Sequence, residues 1–311
     1  MILKQSTLLY QSVRSLRKIG KIKYPLTAFE RIPNKSIIIR ATAFTTISIS
    51  TIYIGSIVSG YELYRARLEK SKEKINKAQQ SVSKRVKNIF GGQRMITDYE
   101  KVYFGILGAN ILVYFLHLTS AKFSKNFLCS ISASRPALSQ FTSIFSHTLF
   151  FHMAMNMYVL HSFVEPLVKN LGSEQFIALY ISGGIFASWV SLTRKALLRS
   201  TIPSLGASGC VCAVISFYCM LYPKGLLCVP IIENIIPHTF YAESALKVIL
   251  AFEALGFLFF QHKSIIDHSA HFGGLLFGLI YHKIGYENMQ DFKREVLKNW
   301  ILVKKNLGIS K

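Results

Sequence analysis

Residues 202–223 read IPSLGASGCVCAVISFYCMLYP, and they set one serine, Ser208, between small residues at the head of an apolar run. The run belongs to a series. Apolar stretches recur near 41–61, 102–119, 141–164, 175–193, 204–222, 246–261 and 269–285. Most are close to the roughly 20 residues that cross about 30 Å of hydrocarbon as a helix. The sequence between them is mostly short loop, without the amphipathic helices that would cover such runs in water. A hydrophobic content of 51% and a mean hydropathy of +0.34 over 311 residues agree. The pattern predicts an all-α membrane protein, with a six-helix core preceded by one N-terminal transmembrane helix (1+6).

The net charge of +22 lies largely outside the apolar runs. Residues 1–40 carry Lys4, Arg14, Arg17, Lys18, Lys21, Lys23, Arg31, Lys35 and Arg40 against the single acid Glu30, with Ser6, Ser12 and Ser15 between them. A basic, hydroxylated, nearly acid-free start has the composition of a mitochondrial targeting segment. Nucleic-acid binding is excluded as a class, because the basic stretches have no binding module around them. The chain is therefore expected to divide into a targeting segment (1–40), an anchor (41–61), a charged linker (62–101), a core (102–285) and a basic tail (286–311). The Ser-, Thr- and Ile-rich anchor reads as standing apart from the core. The linker, ending at Gly91-Gly92, reads as a polar helix or a flexible spacer, acting as a solvated tether or a regulatory stalk, and the tail with Trp300 as a segment lying on the membrane surface. Cys129, Cys210, Cys212, Cys219 and Cys228 form no CxxC pair and read as reduced apolar fillers.

Polar side chains inside hydrocarbon are costly, so those within the core runs are functional candidates. The second core run, FTSIFSHTLFFHMAMNMYVLHSF (141–163), holds His147, His152 and Asn156. Read as one helix, it places His152 and Asn156 on one face and His147 about 140° around from His152. The fourth begins Gly206-Ala207-Ser208-Gly209. The sixth begins DHSAHFGGLLFG (267–278), with His271 one turn inside and Ala270, Gly274 and Gly278 in the four-residue spacing that lets helices approach closely. In a six-helix core the even-numbered helices all enter from the same side. His147, His152, Ser208 and His271 therefore share one leaflet, although they are far apart in the chain.

That set has a chemistry. A serine hydroxyl becomes a nucleophile when a base within hydrogen-bond reach takes its proton, and histidine is the usual base. Ser208 and His271 suit those roles. His152, the Asn156 amide and the Ser208 backbone N–H suit the stabilisation of an oxyanion, and His147 and Gly206 are grouped with them as oxyanion- or substrate-binding residues. Gly206 and Gly209 let backbone and substrate come near. Asp267, four before His271, reads as a helix start rather than a triad member, which leaves a Ser-His dyad. Glu253 is a separate intramembrane carboxyl, read as a neutral buried acid, a gate element or a helix-packing hydrogen bond.

The motifs His147-x4-His152-x3-Asn156, Gly206-Ala207-Ser208-Gly209 and Ala270-His271-Phe272-Gly273-Gly274 resemble those of the rhomboid intramembrane serine proteases over residues 102–285. The basic head, the additional N-terminal helix and DHSAHFGG resemble the mitochondrial presenilin-associated branch of that family. The resemblance implies hydrolysis of single-pass membrane proteins within the lipid bilayer of the mitochondrial inner membrane. It assigns Ser208 as nucleophile, His271 as base and His152 and Asn156 to the oxyanion hole, with no metal or organic cofactor. Two positions depart from many family members: residues 120–140 contain Arg135 but no Trp, and Cys212 stands four after Ser208 where a Tyr often stacks on the histidine. The alternatives are a catalytically silent rhomboid-like protein that routes membrane clients, and a polytopic channel or carrier. The first would lack the serine or the histidine. The second would place charged pathway residues in several runs, and only Glu253 fits that.

Overall fold

All seven apolar runs carry helix in the computed structural model, which describes residues 34–81, 96–119, 127–229, 238–259, 266–288 and 290–309. Most of the targeting segment and Gly91-Gly92 lie outside these residues. Among the described residues the helices are α1 (Asn34–Ser81), α2 (Asp98–Thr119), α3 (Pro136–Thr142, continued by a 3₁₀ turn Ser143–Phe145), α4 (Phe150–Leu171), α5 (Ser173–Leu197), α6 (Ser208–Leu221), α7 (Ala242–Phe259), α8 (His268–Ile280, continued by a π-helical stretch Tyr281–Glu287) and α9 (Gln290–Asn306). A short antiparallel ribbon, β1 (Leu226–Leu227) with β2 (Phe240–Tyr241), joins α6 to α7. The protein is an all-α membrane protein, and α1, α2 and α5 are each long and apolar enough to cross a bilayer.

Helices α5, α6 and α8 pack closely on one another, and α1 packs as extensively on α5. Phe176, Leu179 and Tyr180 of α5 meet Leu160 and Leu167 of α4 and Phe217 of α6 in a fully buried cluster. The 14 residues of α6 rise only about 21 Å against about 30 Å of hydrocarbon. A helix of that length does not by itself cross the hydrocarbon.

Two expectations are corrected. The anchor does not stand apart from the core. Ala41 and Thr45 are buried, Gln140 Nε2 donates to the Ala41 carbonyl (3.3 Å), and Thr45 Oγ1 donates to Gln140 Oε1 (2.7 Å). Further along, Trp189 Nε1 donates to Thr42 (3.0 Å), Gln175 Nε2 to Ser56 (2.9 Å) and Tyr53 Oη to the Gly285 carbonyl (2.7 Å). The Ser and Thr content that sets the anchor apart in sequence is what bonds it to its neighbours where water is absent. The helix runs on past residue 61, as the polar-helix reading of the linker expects. The next twenty residues contain no Gly or Pro and are rich in Lys, Glu, Ala and Arg, so α1 continues to Ser81.

The second correction concerns the run 141–164, which is not one helix. The chain is extended at Ser146 (ψ 129°) and Leu149 (ψ 129°), so His147 lies in a connection before α4 and the 140° relation to His152 does not apply. The cause is competition for acceptors. The Ser143 carbonyl accepts from Ser146 N (3.1 Å) and Gly206 N (3.0 Å), where a continuing helix would offer it to His147 N. Ser146 Oγ lies 2.6 Å from His117 Nε2, a side-chain bond that further favours the break.

The tail forms α9, held to α1 where Trp300 Nε1 (2.8 Å) and Lys304 Nζ (3.0 Å) donate to Glu62 Oε1. Its exposed Phe292, Ile301, Leu302 and Val303 share the helix with Lys298 and Lys305. The N-terminal part of α1 lies beside Gln140 and Trp189, at the end of the bundle where α3 and α4 begin and α5 ends. Its Tyr53–Glu62 part lies beside Gly285 and Trp300, at the opposite end.

Candidate active site

Close packing of α6 on α8 sets the site. A Cβ on Gly274 would collide with the Gly209 carbonyl, and one on Gly278 with the Ala213 carbonyl and Ser216 Oγ. The small stripe of α8 thus rests directly on the backbone of α6. The two helices begin next to each other, and His271 Nε2 lies 2.8 Å from Ser208 Oγ. Both side chains are partly buried. Ser208 occupies the first turn of α6, where backbone N–H groups lack intrahelical acceptors and the helix dipole favours negative charge.

A third group completes the line. Glu253, buried in α7, places Oε1 2.9 Å from His271 Nδ1 and Oε2 2.6 Å from His268 Nδ1. A carboxylate at Nδ1 selects the tautomer with the proton on Nδ1, which leaves the Nε2 lone pair facing the Ser208 hydroxyl. Dyad reasoning misses this residue. The signal that finds it is depth: Glu253 lies in the second half of the fifth core helix, and the end of an odd helix shares a leaflet with the start of an even one. Cys212, where a stacking Tyr is frequent, lies beside Gly274, and Glu253 orients the His271 ring instead.

The other wall comes from the break before α4. Gly206 has φ +116°, a conformation that favours glycine, and a Cβ there would lie 2.8 Å from His152 Cε1. His152 is partly buried, with its ring 5.0 Å from that of His147 at 73°. His147 is fully buried, and its Nε2 lies 3.3 Å from both Ala207 N and Asn156 Nδ2. Facing two donors, that nitrogen is an acceptor. His147 therefore props the turn before Ser208 and the Asn156 amide, and offers no N–H to an oxyanion from Nε2. Asn156 Nδ2 also donates to the His152 carbonyl (2.9 Å). Asp267 is the N-cap of α8, accepting from Ala270 N (3.1 Å).

A hydroxyl, an imidazole and a carboxylate thus lie in series at a helix N-terminus inside an apolar bundle. The rhomboid domain model matches residues 135–288, which hold every site residue named above, and the chain belongs to the rhomboid family. It is 36% identical over 222 residues to the presenilin-associated rhomboid-like protein, mitochondrial, of Homo sapiens, covering 70% of this chain and 55% of the relative. The Rattus norvegicus counterpart is 35% identical over 240 residues, covering 75% and 60%. Rhomboid protein 1, mitochondrial, of Saccharomyces cerevisiae is 30% identical over 190 residues, covering 60% and 53%. The chain thus spans between half and about three-fifths of the length of these relatives.

Proposed function

We propose that the chain is an intramembrane serine endopeptidase that hydrolyses peptide bonds of single-pass membrane proteins. The observation that carries this reading is the series Ser208 Oγ, His271 Nε2, His271 Nδ1 and Glu253 Oε1, joined at 2.8 and 2.9 Å. His271 takes the Ser208 proton as Oγ attacks the scissile carbonyl, and Glu253 stabilises the imidazolium that forms. The oxyanion of the tetrahedral intermediate is stabilised by first-turn N–H groups of α6 and by an N–H of His152. His271 then gives its proton to the departing amine. A water, deprotonated by His271, attacks the acyl-enzyme and releases Ser208.

Asn156 enters this scheme as a donor only by exchanging one of its two present acceptors for the oxyanion. His152→Ala and Asn156→Ala are each expected to lower kcat by about 10²- to 10³-fold with little change in KM. A change confined to KM would assign them to substrate binding instead.

The mitochondrial inner membrane is the proposed location, supported by the composition of residues 1–40 and by the mitochondrial names of the relatives. A targeting head inside the matrix puts the N-terminal end of α1, and with it the mouth of the site, toward the matrix. The C-terminal tail then faces the intermembrane space. A C-terminal tag is expected to be degraded by protease added to mitoplasts. A tag that stays protected while the outer membrane is open would reverse the orientation.

The activity is tested by reconstituting the purified chain into proteoliposomes with a single-pass reporter. Cleavage by the wild type and none by Ser208→Ala is the expected outcome. A reporter left intact by the wild type, or cut equally by both, would overturn the reading.

A further inference from the structure

Behind the site lies a buried charged cluster that the chemistry above does not use. Lys195, 4% exposed, projects from the last turns of α5, and its Nζ lies 2.9 Å from Asp267 Oδ2. The same oxygen accepts from Ser191 Oγ at 2.7 Å and from the Ser204 hydroxyl, which also contacts Lys195 Nζ. Ser191 Oγ and Ser204 Oγ are 2.9 Å apart. Ser191 is fully buried and Ser204 nearly so.

Lys195 is buried while the Asp267 side chain keeps 23% exposure, and an ion pair buried on one side is no efficient source of stability, because desolvation opposes the attraction and an apolar pair of similar volume packs as well. Its connections point elsewhere. Ser204 stands four residues before Ser208, in the segment that turns through Gly206 into α6. Asp267 stands four residues before His271 and caps α8: Oδ1 accepts from Ala270 N (3.1 Å), and its carbonyl accepts from His271 N (3.1 Å). Ser204 is fixed in turn by paired backbone bonds to Cys129 at 2.8 and 2.9 Å. One cluster, seated on α5, therefore ties the chain entering the serine helix to the first turn of the histidine helix.

We infer that Lys195 and Asp267, with Ser204, are positioning residues: they set the distance between Ser208 and His271 by tying the segment entering α6 to the first turn of α8. The inference rests on the serine-hydrolase reading above. A displacement of about 1 Å in a reacting pair reduces turnover by about 10²-fold, so loosening this tie lowers kcat and leaves substrate binding as it was.

The test uses the full chain in detergent and in proteoliposomes, with a fluorophosphonate probe as a substrate-free measure of serine reactivity. The double variant Lys195→Met/Asp267→Asn removes both charges together and keeps the N-cap, since Asn caps as well as Asp. It is expected to melt near the wild-type temperature with KM within about twofold, while kcat and the labelling rate both fall by about 10- to 100-fold. Labelling and kcat within about twofold of wild type would overturn the inference. If the double variant does not fold, Ser204→Ala decides, because it leaves the Lys195–Asp267 pair intact. A several-fold slower labelling at unchanged melting temperature and KM supports the positioning role, and a wild-type rate refutes it. A wild type that the probe does not label would overturn the hydrolase reading, and this inference with it. A labelled wild type alongside an equally labelled double variant would overturn this inference alone.

Discussion

Ser208→Ala and His271→Ala are each expected to abolish proteolysis of a single-pass reporter while the bundle stays folded. The two atoms that meet at 2.8 Å act as a unit, so removing either leaves only binding and oxyanion stabilisation. The loss is on the order of 10⁴-fold or more, beyond the range of an ordinary cleavage assay. Neither change disturbs the packing that holds the site, because α6 meets α8 through Gly209, Gly274 and Gly278. Melting curves and elution volumes should therefore match the wild type. Turnover near the wild-type rate in either variant would remove that residue from the mechanism.

The second large effect is expected at Glu253. Glu253→Gln keeps the volume and the capacity to fill the space in α7, but an amide can turn its N–H toward His271 Nδ1. That stabilises the other tautomer, with the proton on Nε2, where it cannot accept from Ser208. A fall in kcat of about 10²- to 10⁴-fold follows, with KM little changed. His268→Ala, which frees Oε2 of the same carboxylate while Oε1 stays on His271, is expected to cost much less. Equal turnover in Glu253→Gln and wild type would mean that His271 needs no carboxylate partner.

Much of the fold was legible because hydrocarbon imposes a length and a polarity on every span. The apolar runs marked the helices, and the Ala270-Gly274-Gly278 spacing marked the face of α8 that meets α6. What escaped depended on partners far away in the chain. The break at Ser146–Leu149 follows from Gly206 N taking the Ser143 carbonyl, a bond between residues 63 apart that no local periodicity carries. The close packing of α1 on α5 was hidden because the Ser and Thr of 41–61 look like a weak span until their acceptors are known.

The site shows the same division. Ser208 and His271 could be paired from depth and chemistry before any geometry was known. Glu253 was visible as an intramembrane acid, and extending the depth argument to the odd-numbered helices would have placed it beside them. His147 was grouped with the oxyanion donors on its residue type, whereas its buried Nε2 faces the donors Ala207 N and Asn156 Nδ2. No pattern in the sequence pairs Lys195 with Asp267, because the two stand 72 positions apart and meet only when α5 and α8 pack.

The central claim is that Ser208 is a nucleophile activated within the membrane, and the most direct measurement is covalent. Purified full-length chain is incubated in detergent with a fluorophosphonate probe, and the adduct is located by tandem mass spectrometry. One modification, on Ser208, lost in Ser208→Ala and strongly slowed in His271→Ala, is the expected result. No adduct on a folded wild type, or an adduct that survives Ser208→Ala, would contradict the claim.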